Sequence, residues 1–395
     1  MFSTLRWTIS VLVLSLLLVQ IVSACPGQTG EYVNGRAPND GNHHKAKRAV
    51  TVRRDLHFPD TNSGKGINRG DRVQNRVCKK WYGIRDHILR EVFHGECGDS
   101  ARAAVRLAFH DAGTFSLKLK RQGRRNGGAD GSMLVDPDEI DRPDNAGLQD
   151  IVAQLRPLAS QFGVSNADIL HVSGILGVII CPGGPPIETY VGRRDARNKN
   201  PTGLLPDVND SVEKMVARFA DMGISVRHLM ALIGAHSTAT QRFVDPSQAG
   251  FSQDSTPDIW DVKFYGETLN DTTPDGVFKF ASDVAFAHHP VTRRDFERFV
   301  DDQDDWDEDY AVAHEQMSLL GVDRSRLTRC TEILPPKIDL GPLFVDRDEG
   351  MSSDEDGDPE DLAGAEPDDG YTLRVDRTRL RVVLRKLRKY WGYSG

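Results

Sequence analysis

The stretch "VRLAFHDAGTFS", residues 105–116, sets three polar side chains, Arg106, His110 and Asp111, into a run that is otherwise apolar or small. With the preceding "ECGDSARAA" it reads as a helix capped at Asp99 or Ser100 and carried by good helix formers. Arg106 and His110 stand four residues apart, which at helical pitch places them side by side on one face. A fixed cation beside a neutral imidazole in an apolar wall suits chemistry in which a proton moves and negative charge develops on a leaving oxygen. A single histidine on an apolar face is as readily a satisfied core residue, so the stretch by itself leaves the choice open.

A second apolar segment, "VRHLMALIGAHSTAT" at 226–240, is expected to be a helix ending at His236. Two apolar helices that each present one imidazole point to a metal or a haem held between them, with one histidine bound and the other facing it. Zinc is disfavoured, because neither histidine has a ligand partner at close spacing.

The rest of the 395-residue chain fits a secreted globular protein. Its hydrophobic content of 38% and net charge of -8 are ordinary for a soluble fold, and no nucleic-acid partner is expected. Residues 1–24 combine one early arginine, Arg6, with an apolar run and a small-residue end, as a signal peptide does. No transmembrane span is expected once it is removed. Residues 25–75 are polar and carry "KAKR" at 45–48 and "RR" at 53–54, which resemble processing sites of a propeptide. Cutting there removes Cys25 and leaves Cys78, Cys97, Cys181 and Cys330, which composition alone can pair in three ways. "NDS" at Asn209 and "NDT" at Asn270 are glycosylation acceptors. An acidic linker is expected over 341–371 and a basic amphipathic helix over 372–395, where Leu380, Val383, Leu384, Leu387 and Trp391 share a face. That helix either meets a membrane surface or partner, or docks on the parent domain and neutralises the acidic block.

Five motifs, "RLAFHDA" at 106, "GGADGS" at 127, "NAGL" at 145, "GAHS" at 234 and "DSTPDIWD" at 254, occur in an order and spacing that resembles the secreted fungal haem peroxidases, class II of the plant peroxidase superfamily. The resemblance covers roughly residues 76–335 and implies a peroxidase domain over 76–340. Its fold is expected to be mainly α, two helical halves enclosing a haem b, with little strand and as a monomer. The implied reaction is reduction of hydrogen peroxide through a ferryl intermediate, followed by oxidation of small phenolic or aromatic donors.

In that likeness His110 is the distal base, Arg106 the distal cation and Phe109 a wall of the haem pocket. Asn145 orients His110, His236 ligates iron, and Asp283 accepts the free N–H of His236. One calcium is implied at Asp111, Gly128, Asp130 and Ser132, and a second at Ser237, Asp254, Thr256, Ile259 and Asp261. The same register implies disulfides Cys97–Cys181 and Cys78–Cys330. At the positions matching the three carboxylates of manganese peroxidases stand Asp99, Ala103 and Arg242, and at the surface tryptophan of lignin peroxidases stands Ala231. Neither donor route is therefore expected. Trp306, inside the acidic "DDQDDWDEDY" of 301–310, is a candidate surface radical site or one packed aromatic on a solvated helix turn. A rival reading makes the chain a catalytically impaired haem-fold binding or surface module. The complete set Arg106, His110, Asn145, His236 and Asp283 argues against it.

Overall fold

A computed structural model describes residues 76–339 of the chain. The expected signal peptide, the expected propeptide with Cys25, the acidic linker and the expected basic C-terminal helix lie outside the described residues.

The described residues form a mainly helical body. Its longer helices are α1 (Lys79–His87), α2 (Asp99–Ala112), α3 (Gln149–Phe162), α4 (Asn166–Ile179), α5 (Val212–Met222), α6 (Val226–Ile233), α7 (Lys263–Leu269), α8 (Ala281–His288) and α9 (Gln303–Ser318). Strand is confined to an antiparallel pair, β1 (Tyr190–Val191) and β2 (Thr328–Arg329), with Tyr190 opposite Arg329. Serines start three of the helices: Ser165, Ser211 and Ser225 each accept a backbone N–H of the first turn, from Asp168, Lys214 and His228. For α2 the expected cap is wrong by a residue. Gly98 takes that place without a side-chain bond, and Asp99 lies in the first helical turn, where its charge still favours the helix N-terminus.

α4 is buried on every side from Ala167 to Ile179, as befits a central helix that is apolar all round. α2 lies directly against it, and the approach is close because small residues meet. A Cβ on Gly174 would fall 2.6 Å from the Ala108 Cβ, and one on Gly177 2.5 Å from the Ala101 carbonyl oxygen. A disulfide between Cys97, just before α2, and Cys181, just after α4, ties the same pair together. The other, Cys78–Cys330, joins the start of α1 to the residue after β2. In the second half α6 packs on α9, and α9 also reaches α2.

Trp306 of α9 is fully buried, and its indole N–H donates to the Ala231 carbonyl at 2.9 Å. The structure thereby rules out the surface radical site. The physical reason is periodicity. Trp306, Tyr310, Ala313 and Met317 repeat at helical spacing and form the buried stripe of α9, while Asp304 and Glu308 point to solvent. Among the described residues no helix is long and apolar enough to cross a membrane.

Candidate active site

α2 carries Arg106 and His110 on one face, as its pitch requires, and the Arg106 Nε lies 3.2 Å from the His110 Nε2. The His110 Nδ1 is 2.9 Å from the Asn145 Oδ1. Asn145 is itself fixed, because its amide donates to the Glu139 carbonyl at 2.7 Å, which aims Oδ1 at the ring. The Nδ1 proton therefore stays on the asparagine side, and the Nε2 lone pair, on the other side of the ring, accepts from the Arg106 Nε–H. Burial, with the Arg106 cation adding to it, lowers the His110 pKa to about 3 against the opposing effect of Asn145. The imidazole is neutral and available as a base. The rest of the Arg106 guanidinium reaches the carbonyls of Ala146 at 2.8 Å and Asp144 at 3.2 Å. Phe109 stacks on Phe219 of α5, with ring centroids 5.9 Å apart.

α6 ends at Ile233, short of the expected end at His236. A tighter 3-10 turn, Gly234–Thr238, follows and carries that histidine. Packing requires glycine at the start of this turn: a Cβ at Gly234 would fall 2.3 Å from the Tyr265 hydroxyl. The His236 Nδ1 bonds the Asp283 Oδ2 at 2.8 Å, and Asp283 is buried on α8. Phe264 and Phe280 meet the imidazole edge-on at 5.7 and 5.6 Å. This leaves Nε2, which has no hydrogen-bond partner among the described residues, as the one open lone pair of an oriented, carboxylate-backed ring. Such a nitrogen fits an axial iron ligand. The chain after His236 is laced to the α2 side: Arg242 pairs with Asp99 at 3.0 Å, and Phe243 lies over Gly147, near Arg106.

Two further groups come together. Asp111, next to His110 but turned away from it, is fully buried and accepts from the Gly131 N–H at 2.9 Å and the Ser132 hydroxyl at 3.3 Å. Asp130 adjoins, with its own N–H on the Gly128 carbonyl at 2.9 Å. Burial raises the Asp111 carboxyl to about 6, and burial with the nearby Asp111 raises Asp130 to about 7. In the second group the Thr256 hydroxyl bonds Asp261 at 3.1 Å, its N–H bonds Asp254 at 2.9 Å, and the Ser237 hydroxyl meets the Ile259 carbonyl at 3.2 Å. Asp254 is raised well above its usual range by burial and by Asp261, and its Oδ2 is buried with no partner among the described residues. Each group is thus a pair of carboxylates forced together among hydroxyls and carbonyls. Among the described residues no cluster of three or more His, Cys, Asp or Glu is arranged for a metal. Asn209 and Asn270 are both exposed.

Sequence reasoning missed two buried partners. His171 of α4 bonds the Asp111 Oδ2 at 3.0 Å through Nε2. Arg193, after β1, bonds Asp168 at 3.1 Å and the Ser318 carbonyl at 2.9 Å. Their signals were present but bland: a histidine in an otherwise apolar helix, and an arginine in a polar loop.

A helical body with a neutral imidazole beside a guanidinium on one side, and a carboxylate-backed imidazole on the other, defines an oxidoreductase built around haem. A family model described as "Peroxidase" matches residues 84–302. The chain is 33% identical to "Ligninase H2" of Phanerodontia chrysosporium over 293 residues, 69% of this chain and 79% of that one. It is 32% identical to "Manganese peroxidase 3" of Phlebia radiata over 295 residues, 69% and 81% of the two chains. With "Peroxidase" of Arthromyces ramosus it shares 30% over 287 residues, 68% and 79%. The chain belongs to the peroxidase family and is a haem peroxidase of the fungal kind.

Proposed function

We propose that the protein is a secreted haem b peroxidase that oxidises small phenolic and aromatic donors at the haem edge, and that neither Mn(II) nor a surface tryptophan serves it. The observation that carries this reading is the Asp99–Arg242 ion pair at 3.0 Å. A guanidinium holds the one remaining acid, and Ala103 supplies no third ligand, so the ground where a divalent cation would bind is already neutralised. Ala231 is buried and carries no oxidisable ring.

When bound, the haem supplies the iron that takes up peroxide and the oxidising power passed on to the donor. The residues of the chain manage protons and orientation. His236 is the ligand, and Asp283 holds its Nδ1–H, increasing the anionic character of the ring. His110 Nε2 would accept a proton from hydrogen peroxide and return it to the departing oxygen. Arg106 stabilises the negative charge of the departing oxygen. Asn145 keeps His110 in the tautomer this requires. Phe109 closes the wall.

A panel of Mn(II), a phenol, a non-phenolic aromatic and a dye, each with peroxide, tests the donor class. The phenol and dye are expected to turn over well and Mn(II) poorly; Mn(II) oxidation matching that of the phenol overturns the reading.

The two carboxylate pairs are proposed as calcium sites, since hard oxygen donors and mutual carboxylate repulsion both call for a cation. Asp111 follows His110 directly, and Ser237 follows His236. Chelation is therefore expected to change the haem spectrum before helicity is lost, with proton uptake by the freed carboxylates. Simultaneous loss of both signals would count against this coupling. Asn209 and Asn270 are the proposed glycan sites.

A further inference from the structure

Four aromatic side chains behind the proximal histidine form one buried cluster, and none is more than 1% exposed. Trp260 and Trp306 are stacked, with ring centroids 5.3 Å apart at an interplanar angle of 8°. Tyr310 meets Trp260 edge-on at 4.8 Å and Trp306 at 5.8 Å, and Tyr265 meets Trp306 at 5.9 Å. One end of the cluster abuts the turn that carries His236: a Cβ on Gly234 would fall 2.3 Å from the Tyr265 hydroxyl and 2.5 Å from the Trp306 Nε1. At the other end the Tyr310 hydroxyl lies 3.1 Å from the His314 Nδ1.

The four polar groups of these rings differ in what they face. Tyr265 donates to the Met230 carbonyl at 2.8 Å, and Trp306 to the Ala231 carbonyl at 2.9 Å. Trp260 Nε1 has no partner among the described residues. A carbonyl oxygen holds a proton donor but does not take the proton. Only Tyr310 faces a base. An aromatic ring that loses an electron becomes a strong acid, so among neighbouring rings the one able to shed its proton gives up its electron most readily. His314 is fully buried, and burial together with His171 and Arg193 keeps its ring neutral; it takes a proton only from a stronger acid, which the phenol becomes once it has lost an electron.

We propose that Tyr310 is a redox-active residue, which donates one electron through Trp306 toward the peroxide-oxidised haem while its phenolic proton passes to His314 Nδ1. The O–H bond of Tyr310 breaks and an N–H bond forms on His314. One oxidising equivalent, generated by hydrogen peroxide at the haem, is consumed and now resides on the tyrosine as a neutral radical. When a donor later supplies an electron at the haem edge and it passes back through the same rings, His314 returns the proton and the phenol is restored. The equivalent is thus stored in a buried place that small donors do not reach. This rests on the haem-peroxidase assignment.

The holoenzyme is mixed with one equivalent of hydrogen peroxide without donor and freeze-quenched for electron paramagnetic resonance, while the Soret band is followed in parallel. A tyrosyl signal is expected that narrows on ring deuteration of tyrosine, is lost in Tyr310→Phe and persists in Tyr265→Phe. Phenylalanine keeps the ring packing. His314→Gln, which keeps a hydrogen-bond partner but removes the base, is expected to abolish the tyrosyl signal as well. A Soret change with no tyrosyl signal, or with one that survives Tyr310→Phe or His314→Gln, overturns the proposal and leaves the haem-peroxidase assignment intact. No Soret change on adding peroxide overturns both.

Discussion

Replacing His110 by leucine is expected to slow the reaction with hydrogen peroxide by about 10²–10⁴-fold, the usual contribution of a positioned general acid or base. Leucine is of comparable bulk and apolar, and His110 is already buried and neutral, so α2 should keep its packing. The proposed iron ligand His236 lies on a different element, so haem content should not change. The measurement is the bimolecular rate of the Soret change after stopped-flow mixing with peroxide. Asn145→Ala should give a smaller loss in the same direction, because it frees the ring and its tautomer without removing the base. A His110→Leu rate within a few-fold of the unaltered protein, at full haem content, would remove His110 from its assigned role.

Replacing Arg193 by methionine is expected to destabilise the fold by about 3–5 kcal/mol, the typical cost of leaving one member of a buried ion pair alone. That is a large share of the roughly 5–15 kcal/mol that holds a domain together. Arg193 is 3% exposed and ties three separate places: Asp168 at the start of α4, the Tyr190 carbonyl in β1 and the Ser318 carbonyl at the end of α9. Adding Asp168→Leu is expected to recover little, because the Asp168 carboxylate also accepts the N–H groups of Gly192 at 2.6 Å and Arg193 at 3.1 Å. Those donors would then be buried without acceptors. The denaturant midpoint, at unchanged slope, reads the effect. A loss below about 1 kcal/mol would mean that the ion pair is a spectator.

Both predictions rest on partners far apart in sequence, and this marks the boundary of what the sequence makes legible. Arg106 beside His110 follows from helical pitch alone. So does the divergence of Asp111 from its neighbour, since adjacent residues on a helix point about 100° apart. Of the two readings of Trp306, the packed aromatic on an acidic helix turn is the one that holds: Trp306, Tyr310, Ala313 and Met317 form the buried stripe, and the acids flank it. The exact ends of helices were less legible. Gly98 stands at the cap in place of Asp99 and a 3-10 turn carries His236, because helix ends are settled by their surroundings and not by the repeat within the helix.

From residue pattern, then, come the helical class, the chemical types at the site and the faces on which they lie, because these depend on spacings of a few residues. The pairing of Asn145 with His110 across 35 residues and of Asp283 with His236 across 47 was legible only through the family resemblance, not from residue pattern, and tertiary structure alone showed that His171 meets Asp111 across 60. It also decided that Tyr310 faces a base while Trp260 faces none. Local periodicity fixes a side chain's direction from its own helix. Which partner waits there is set by how closely the helices pack, and here small residues such as Gly174, Gly177 and Ala108 let α2 and α4 approach.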